Sequence, residues 1–105
     1  MGEKTFHISG QVIDRKRRTA LRDLFVEAWD SDLICDDFVG SATTDADGKF
    51  HIQFTQNYFR ELFFDSEPDL YFKIFQDGQL IASTEDSVLW NVRAGVQEVE
   101  IELDV

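Results

Sequence analysis

Glu98-Val99-Glu100-Ile101-Glu102-Leu103-Asp104-Val105 alternates acidic and aliphatic residues without a break. Successive side chains of an extended strand point to opposite faces. The period of two therefore collects Val99, Ile101, Leu103 and Val105 on one side and the four acids on the other. A helix would scatter both sets around its axis. The stretch reads as a strand with one dry and one wet face, and a fold that contains it needs a second apolar layer to cover the dry face.

The same pattern recurs upstream. It predicts strands near Thr5 to Ile13 (with Phe6, Ile8 and Val12), Leu24 to Trp29 and Phe38 to Thr44. Asp45-Ala46-Asp47-Gly48 is a turn signal, since Gly accepts positive φ and Asp bonds its local backbone, and it leads into Phe50, Ile52 and Phe54 as a predicted hairpin. Leu70 to Phe75 and Leu80 to Thr84 flank Asp77-Gly78, a pair suited to a type I′ hairpin turn. Between these hairpins the alternation breaks. Tyr58, Phe59, Leu62 and Phe63 fall at helical spacing, with Thr55 or Asn57 as the cap, which predicts one short helix near residues 57–64. Pro68 marks the entry to the next strand. Seven short strands and one short helix make an all-β, seven-stranded Greek-key β-sandwich, a single domain over residues 1–105.

Composition narrows the function classes. Twenty-one acidic against ten basic residues give a net charge of −11, which repels nucleic acid and anionic membrane surfaces. The basic cluster Arg15-Lys16-Arg17-Arg18 carries no interleaved aromatic residue and reads as a solvated hairpin loop. No segment reaches the roughly 18–20 apolar residues of a membrane span, and Met1 to Gly10 lacks the apolar run of a signal peptide, so the chain as written stays in the cytoplasm unless a signal-less route exports it. Cys35 is the single cysteine, which excludes an internal disulfide and a Cys-cluster zinc site. With no nucleophile elbow around it, it reads as a semi-buried structural residue.

Gly10-Gln11-Val12-Ile13-Asp14, Leu24-Phe25-Val26-Glu27-Ala28-Trp29-Asp30 and Thr43-Thr44-Asp45-Ala46-Asp47-Gly48-Lys49-Phe50 resemble the transthyretin-like and carboxypeptidase regulatory-like β-sandwich domains over the first half of the chain. That resemblance implies an accessory module of a larger bacterial protein. The enzymatic branch of the superfamily, which hydrolyses 5-hydroxyisourate with several histidines, an arginine and a C-terminal Tyr-Arg-Gly-Ser motif, is not matched by Ile101-Glu102-Leu103-Asp104-Val105. Pilin-type relatives form a Lys–Asn isopeptide bond, and no spacing singles out Lys4 and Asn91 for one. Intradiol dioxygenases share a related sandwich and bind iron with two Tyr and two His. This chain has two of each, but neither pair is clustered in sequence.

Two groups are candidate sites. Asp30, Asp32, Asp36 and Asp37, followed by Phe38-Val39-Gly40, look like the third calcium loop of C2 domains. Close carboxylates in a flexible loop suit a hard cation, given a partner loop such as Asp65 to Asp69. Asp45-Ala46-Asp47-Gly48 is also similar to the opening of an EF-hand loop, but Gln56 stands where its twelfth-position acid belongs. The second group is aromatic. With Leu24, Val26 and Ala28 facing the core, Phe25 and Trp29 face outward, and with Leu70, Phe72 and Ile74 facing in, Tyr71 and Phe75 face out. As neighbours in one sheet these four rings form a contiguous patch, covered by the helix or by another chain. The resulting expectation is a non-catalytic interaction or assembly module without a cofactor, docking onto a protein partner or onto itself, with a calcium-dependent binding module as the alternative.

Overall fold

The computed structural model describes residues 5–31, 35–55 and 68–105. Among them seven strands follow one another: β1 (Thr5–Asp14), β2 (Phe25–Asp30), β3 (Asp37–Thr43), β4 (Lys49–Thr55), β5 (Leu70–Gln76), β6 (Gln79–Ser83) and β7 (Gly95–Leu103), with a 3-10 turn at Glu85–Ser87. They form two sheets, ordered β4-β1-β7 and β3-β2-β5-β6. The all-β sandwich of seven strands expected from the alternation is the fold. The helix expected near residues 57–64 lies outside the described residues.

The core draws on alternating residues of six strands, whereas β6 buries none of its residues and Val105, expected on the dry face, lies beyond β7 and is exposed. Phe6, Ile8 and Val12 of β1 join Phe50, Ile52 and Phe54 of β4 and Ile101 and Leu103 of β7. Val26, Ala28, Leu70, Phe72 and Ile74 meet them from the other sheet. Phe6 and Phe54 stack at 4.9 Å, and the edge contact of Phe50 with Phe72 at 6.0 Å ties the two layers together. At about 25 cal/mol per Å² of apolar surface removed from water, rings of this size dominate the burial.

Strand direction is not written in alternation. β1 runs antiparallel to β4, with His7 opposite Gln53 and Ser9 opposite His51, but parallel to β7, with Ser9 opposite Glu98 and Val12 opposite Ile101. This parallel pairing places the basic turn after β1 beside the acidic face of β7. Arg15 reaches Asp104 at 3.0 Å, and Arg18 reaches Glu102 at 2.5 Å and Glu100 at 3.6 Å. Arg15-Lys16-Arg17-Arg18 is the exposed reversing loop expected, closed by the antiparallel Ile13–Ala20 bridge, and two of its four side chains, Arg15 and Arg18, are ion-paired with β7 and the residue after it. Arg18 in turn holds the Glu102 carboxyl below its ordinary range.

Asp45-Ala46-Asp47-Gly48 forms a turn, but not the hairpin expected of it, because β3 and β4 belong to different sheets. The turn is a corner that carries the chain from one layer to the other. Asp45 Oδ1 accepts the backbone N–H of Asp47 and of Lys49, both at 2.9 Å, and Gly48 sits at φ +70°. Asp77 and Gly78, both at positive φ, do form the tight β5–β6 hairpin that the Asp-Gly pair predicts.

Candidate functional site

The outer face of the four-stranded sheet carries the predicted aromatic residues. β2 and β5 are hydrogen-bonded neighbours with Phe25 opposite Phe75 and Trp29 opposite Tyr71. The Phe25 and Phe75 rings lie 6.2 Å apart. Trp29 meets Phe38 edge-on at 5.6 Å, a residue the alternation did not assign to this face. The reason is a bulge between Ala28 and Trp29, which lets Val39 turn into the core while Phe38 stays outside. The patch is not contiguous as expected. Glu27 stands opposite Lys73 in the strand register between the two ring clusters, the Trp29 indole N–H donates to Glu27 Oε1 at 3.0 Å, and Lys73 Nζ stands 4.2 Å over the indole. Phe25 and Phe38 are 41% and 44% exposed.

Tyr71 departs from the expected exposure. It points away from the core yet is only 3% exposed, and its hydroxyl donates to Asp36 Oδ2 at 2.5 Å. Burial pushes the phenol well above its ordinary value near 10, and the hydrogen bond and charge of Asp36, with the charge of Glu85, push it further. The native state therefore keeps this proton at a pH where the unfolded chain releases it. The stability tied to it is complete below pH 10 and is lost as pH rises toward the native value, by up to about 1.4 kcal/mol per pH unit. Alkaline titration followed at the tyrosinate absorbance is expected to show Tyr71 ionising only with unfolding, and Tyr71→Phe should remove that component of alkaline unfolding. A Tyr71 that ionises near pH 10 in the folded protein would contradict this.

Asp30 and Asp36 of the acidic loop accept hydrogen bonds from the protein's own donors. Asp30 is buried and accepts the Asp69 N–H at 2.9 Å, while Ser31 N–H donates to the Asp69 carbonyl at 2.7 Å. Asp69 Oδ1 accepts Asn91 N–H, and Asp36 accepts Tyr71. Asp37 pairs with Asp30 at the start of β3. The segment at Asp69 does approach the loop, as a calcium site would need. Asp32 lies outside the described residues, and among those described no three His, Cys, Asp or Glu side chains are grouped to hold a metal. Cys35 is exposed, contrary to the semi-buried expectation.

The histidines are closer than their sequence positions suggest. On the outer face of the three-stranded sheet, His7 Nδ1 lies 3.4 Å from His51 Nε2, because the β1–β4 register sets them on a cross-strand diagonal. Tyr71 stands on the opposite sheet with its proton held, and Tyr58 lies outside the described residues. An iron set of two Tyr and two His is thus not assembled among the described residues.

No protein-family model matches the sequence, and no curated protein matches it. Solved structures do share the fold. A 9R-lipoxygenase from Cyanothece PCC8801 matches 95% of this chain at 19% identity and a TM-score of 0.66, and the match spans 16% of that protein. The dioxygenase domain of a dioxygenase carbohydrate-binding protein fusion from Streptomyces sp. SirexAA-E matches 99% at 21% identity and 0.61, spanning 82% of that chain. The 3-chlorocatechol 1,2-dioxygenase of Rhodococcus opacus 1CP matches 98% at 14% identity and 0.54, spanning 61%. Identities this low show the fold alone. The expectation of a non-catalytic interaction or assembly module is corrected by these matches, for the fold is one that dioxygenases carry. Among the described residues no helix is long and apolar enough to cross a membrane.

Proposed function

We propose that the chain is a dioxygenase-associated domain, the β-sandwich unit of an enzyme that adds molecular oxygen to an organic substrate. One observation supports this reading above others. Nearly the whole chain, 95–99% of it, recurs in proteins where the match makes up 16% of one and 82% of another, both named for oxygenation. The reacting centre then comes from outside the described residues, and the exposed ring clusters around Phe25 and Phe38 are the side on which the remainder of the oxygenase rests.

Oxygen uptake with catechol, 3-chlorocatechol and an unsaturated fatty acid tests this, measured for the chain alone and for what the tagged chain captures from its host. Substrate-dependent uptake is expected in one of the two fractions. Phe25→Ser with Phe38→Ser is expected to remove the captured activity without changing the melting temperature by more than a few degrees. Uptake no higher than in a bait-free control, in both fractions and with every substrate, overturns the reading.

A further inference from the structure

We propose that His7 and His51 form a two-imidazole site for a borderline divalent cation, best met by tetrahedral zinc. The inference does not depend on the oxygenase reading. The two rings come from adjacent strands of a continuous antiparallel ladder, so the backbone under them is fixed by hydrogen bonds on both sides of β1. Their nitrogens face each other at 3.4 Å. That is the long end for a hydrogen bond between the two rings, beside the roughly 2.7–3.2 Å of N–H···O pairs. It matches the bite of two ligands on one zinc ion, because Zn–N bonds of about 2.0–2.1 Å at the tetrahedral angle set the two nitrogens about 3.3–3.4 Å apart. Imidazole nitrogen is a donor that zinc prefers, whereas calcium selects oxygen.

The surroundings favour a cation. On the same face Ser9 stands opposite His51 on one side and Glu98 on the other, exposed Val96 stands opposite His7, and the chain carries a net charge of −11. His51 is exposed and His7 half-buried, so an ion can reach the pair from solvent with water at its remaining positions.

Calorimetry with zinc chloride, together with the visible spectrum of added cobalt(II), tests the site on the full chain. One zinc per chain is expected, with cobalt bands of the intensity that four-coordinate geometry gives, and zinc should move the imidazole NMR resonances of both histidines. His7→Gln and His51→Gln are each expected to weaken zinc binding by more than about tenfold, since losing a direct ligand costs at least as much as losing an outer-shell partner. Both substitutions sit on the solvent side of the sheet, so unchanged melting temperatures in the absence of metal serve as the folding control. Equal zinc affinity in the native chain and both variants overturns the proposal, as does a zinc titration that leaves the imidazole resonances in place.

Discussion

Gly48→Val is expected to destabilise the protein by about 3–5 kcal/mol, and to lower its melting temperature by roughly 15 °C or abolish the folded state. Two separate costs converge at this corner. Gly48 sits at φ +70°, a region that a β-branched residue occupies only with strain of about 1–3 kcal/mol. A Cβ here would also stand 2.5 Å from the Val12 carbonyl oxygen and 3.0 Å from the Leu21 amide, both backbone atoms that cannot swing aside. The Val12 amide itself donates to the Gly48 carbonyl at 2.8 Å, so moving the corner away breaks the contact that seats it on β1. Urea denaturation followed by tryptophan fluorescence checks the prediction. A loss below about 1 kcal/mol would mean that the corner relaxes freely.

Gly10→Val should cost about 3 kcal/mol or more for a different reason, since no unusual φ is involved. Gly10 and Phe50 are directly opposite on the inner faces of β1 and β4, and the Phe50 ring lies over the space where a side chain would be. A Cβ on Gly10 would fall 2.1, 2.4 and 2.8 Å from three ring atoms. Phe50 cannot retreat easily, because it is buried and its ring edge is locked against Phe72 of the other sheet. Overpacking of a close-packed core typically costs about 1–3 kcal/mol, and a branched side chain under a trapped ring belongs at or beyond the upper end. Replacing Phe50 by Leu in the same protein should recover part of the loss, which a double-mutant cycle would report as a favourable coupling. Purely additive losses would place the strain elsewhere.

How much of this was legible beforehand depends on the range of the interaction involved. The strands were readable from neighbours two residues apart, as in Val99, Ile101 and Leu103, because burial on one face imposes that period locally. The Asp77-Gly78 hairpin was readable because its turn lies between the two strands it joins. The Asp45 to Gly48 turn was found but its role was misjudged, since the same turn chemistry serves a hairpin and a corner between layers. The outward aspect of Phe25, Trp29, Tyr71 and Phe75 followed from alternation, whereas Phe38 was hidden by a bulge that shifts the period by one residue. Nothing local told that Tyr71 would be covered and bound to Asp36, 35 positions away. The pairing of His7 with His51 is wholly a matter of register between β1 and β4. No motif spacing signals it, and only a trial alignment of the two strands, with Gly10 set against Phe50, could have found it.

The parallel seam between β1 and β7 also constrains how the chain comes together in time. Ile8 pairs with Ile52, 44 positions on, and with Gln97, 89 positions on, so the central strand of its sheet takes both partners from distant sequence. On a ribosome, the other sheet has all four of its strands once β6 has emerged, while β1 must wait for β7. During that interval one edge of β1 offers unpaired backbone donors and acceptors to any extended chain nearby. High contact order of this kind slows folding relative to helical proteins of similar size. Closing β1 therefore depends on the later-made β7, and a polypeptide interrupted before Gly95 would be a sticky intermediate in need of a chaperone or a protease.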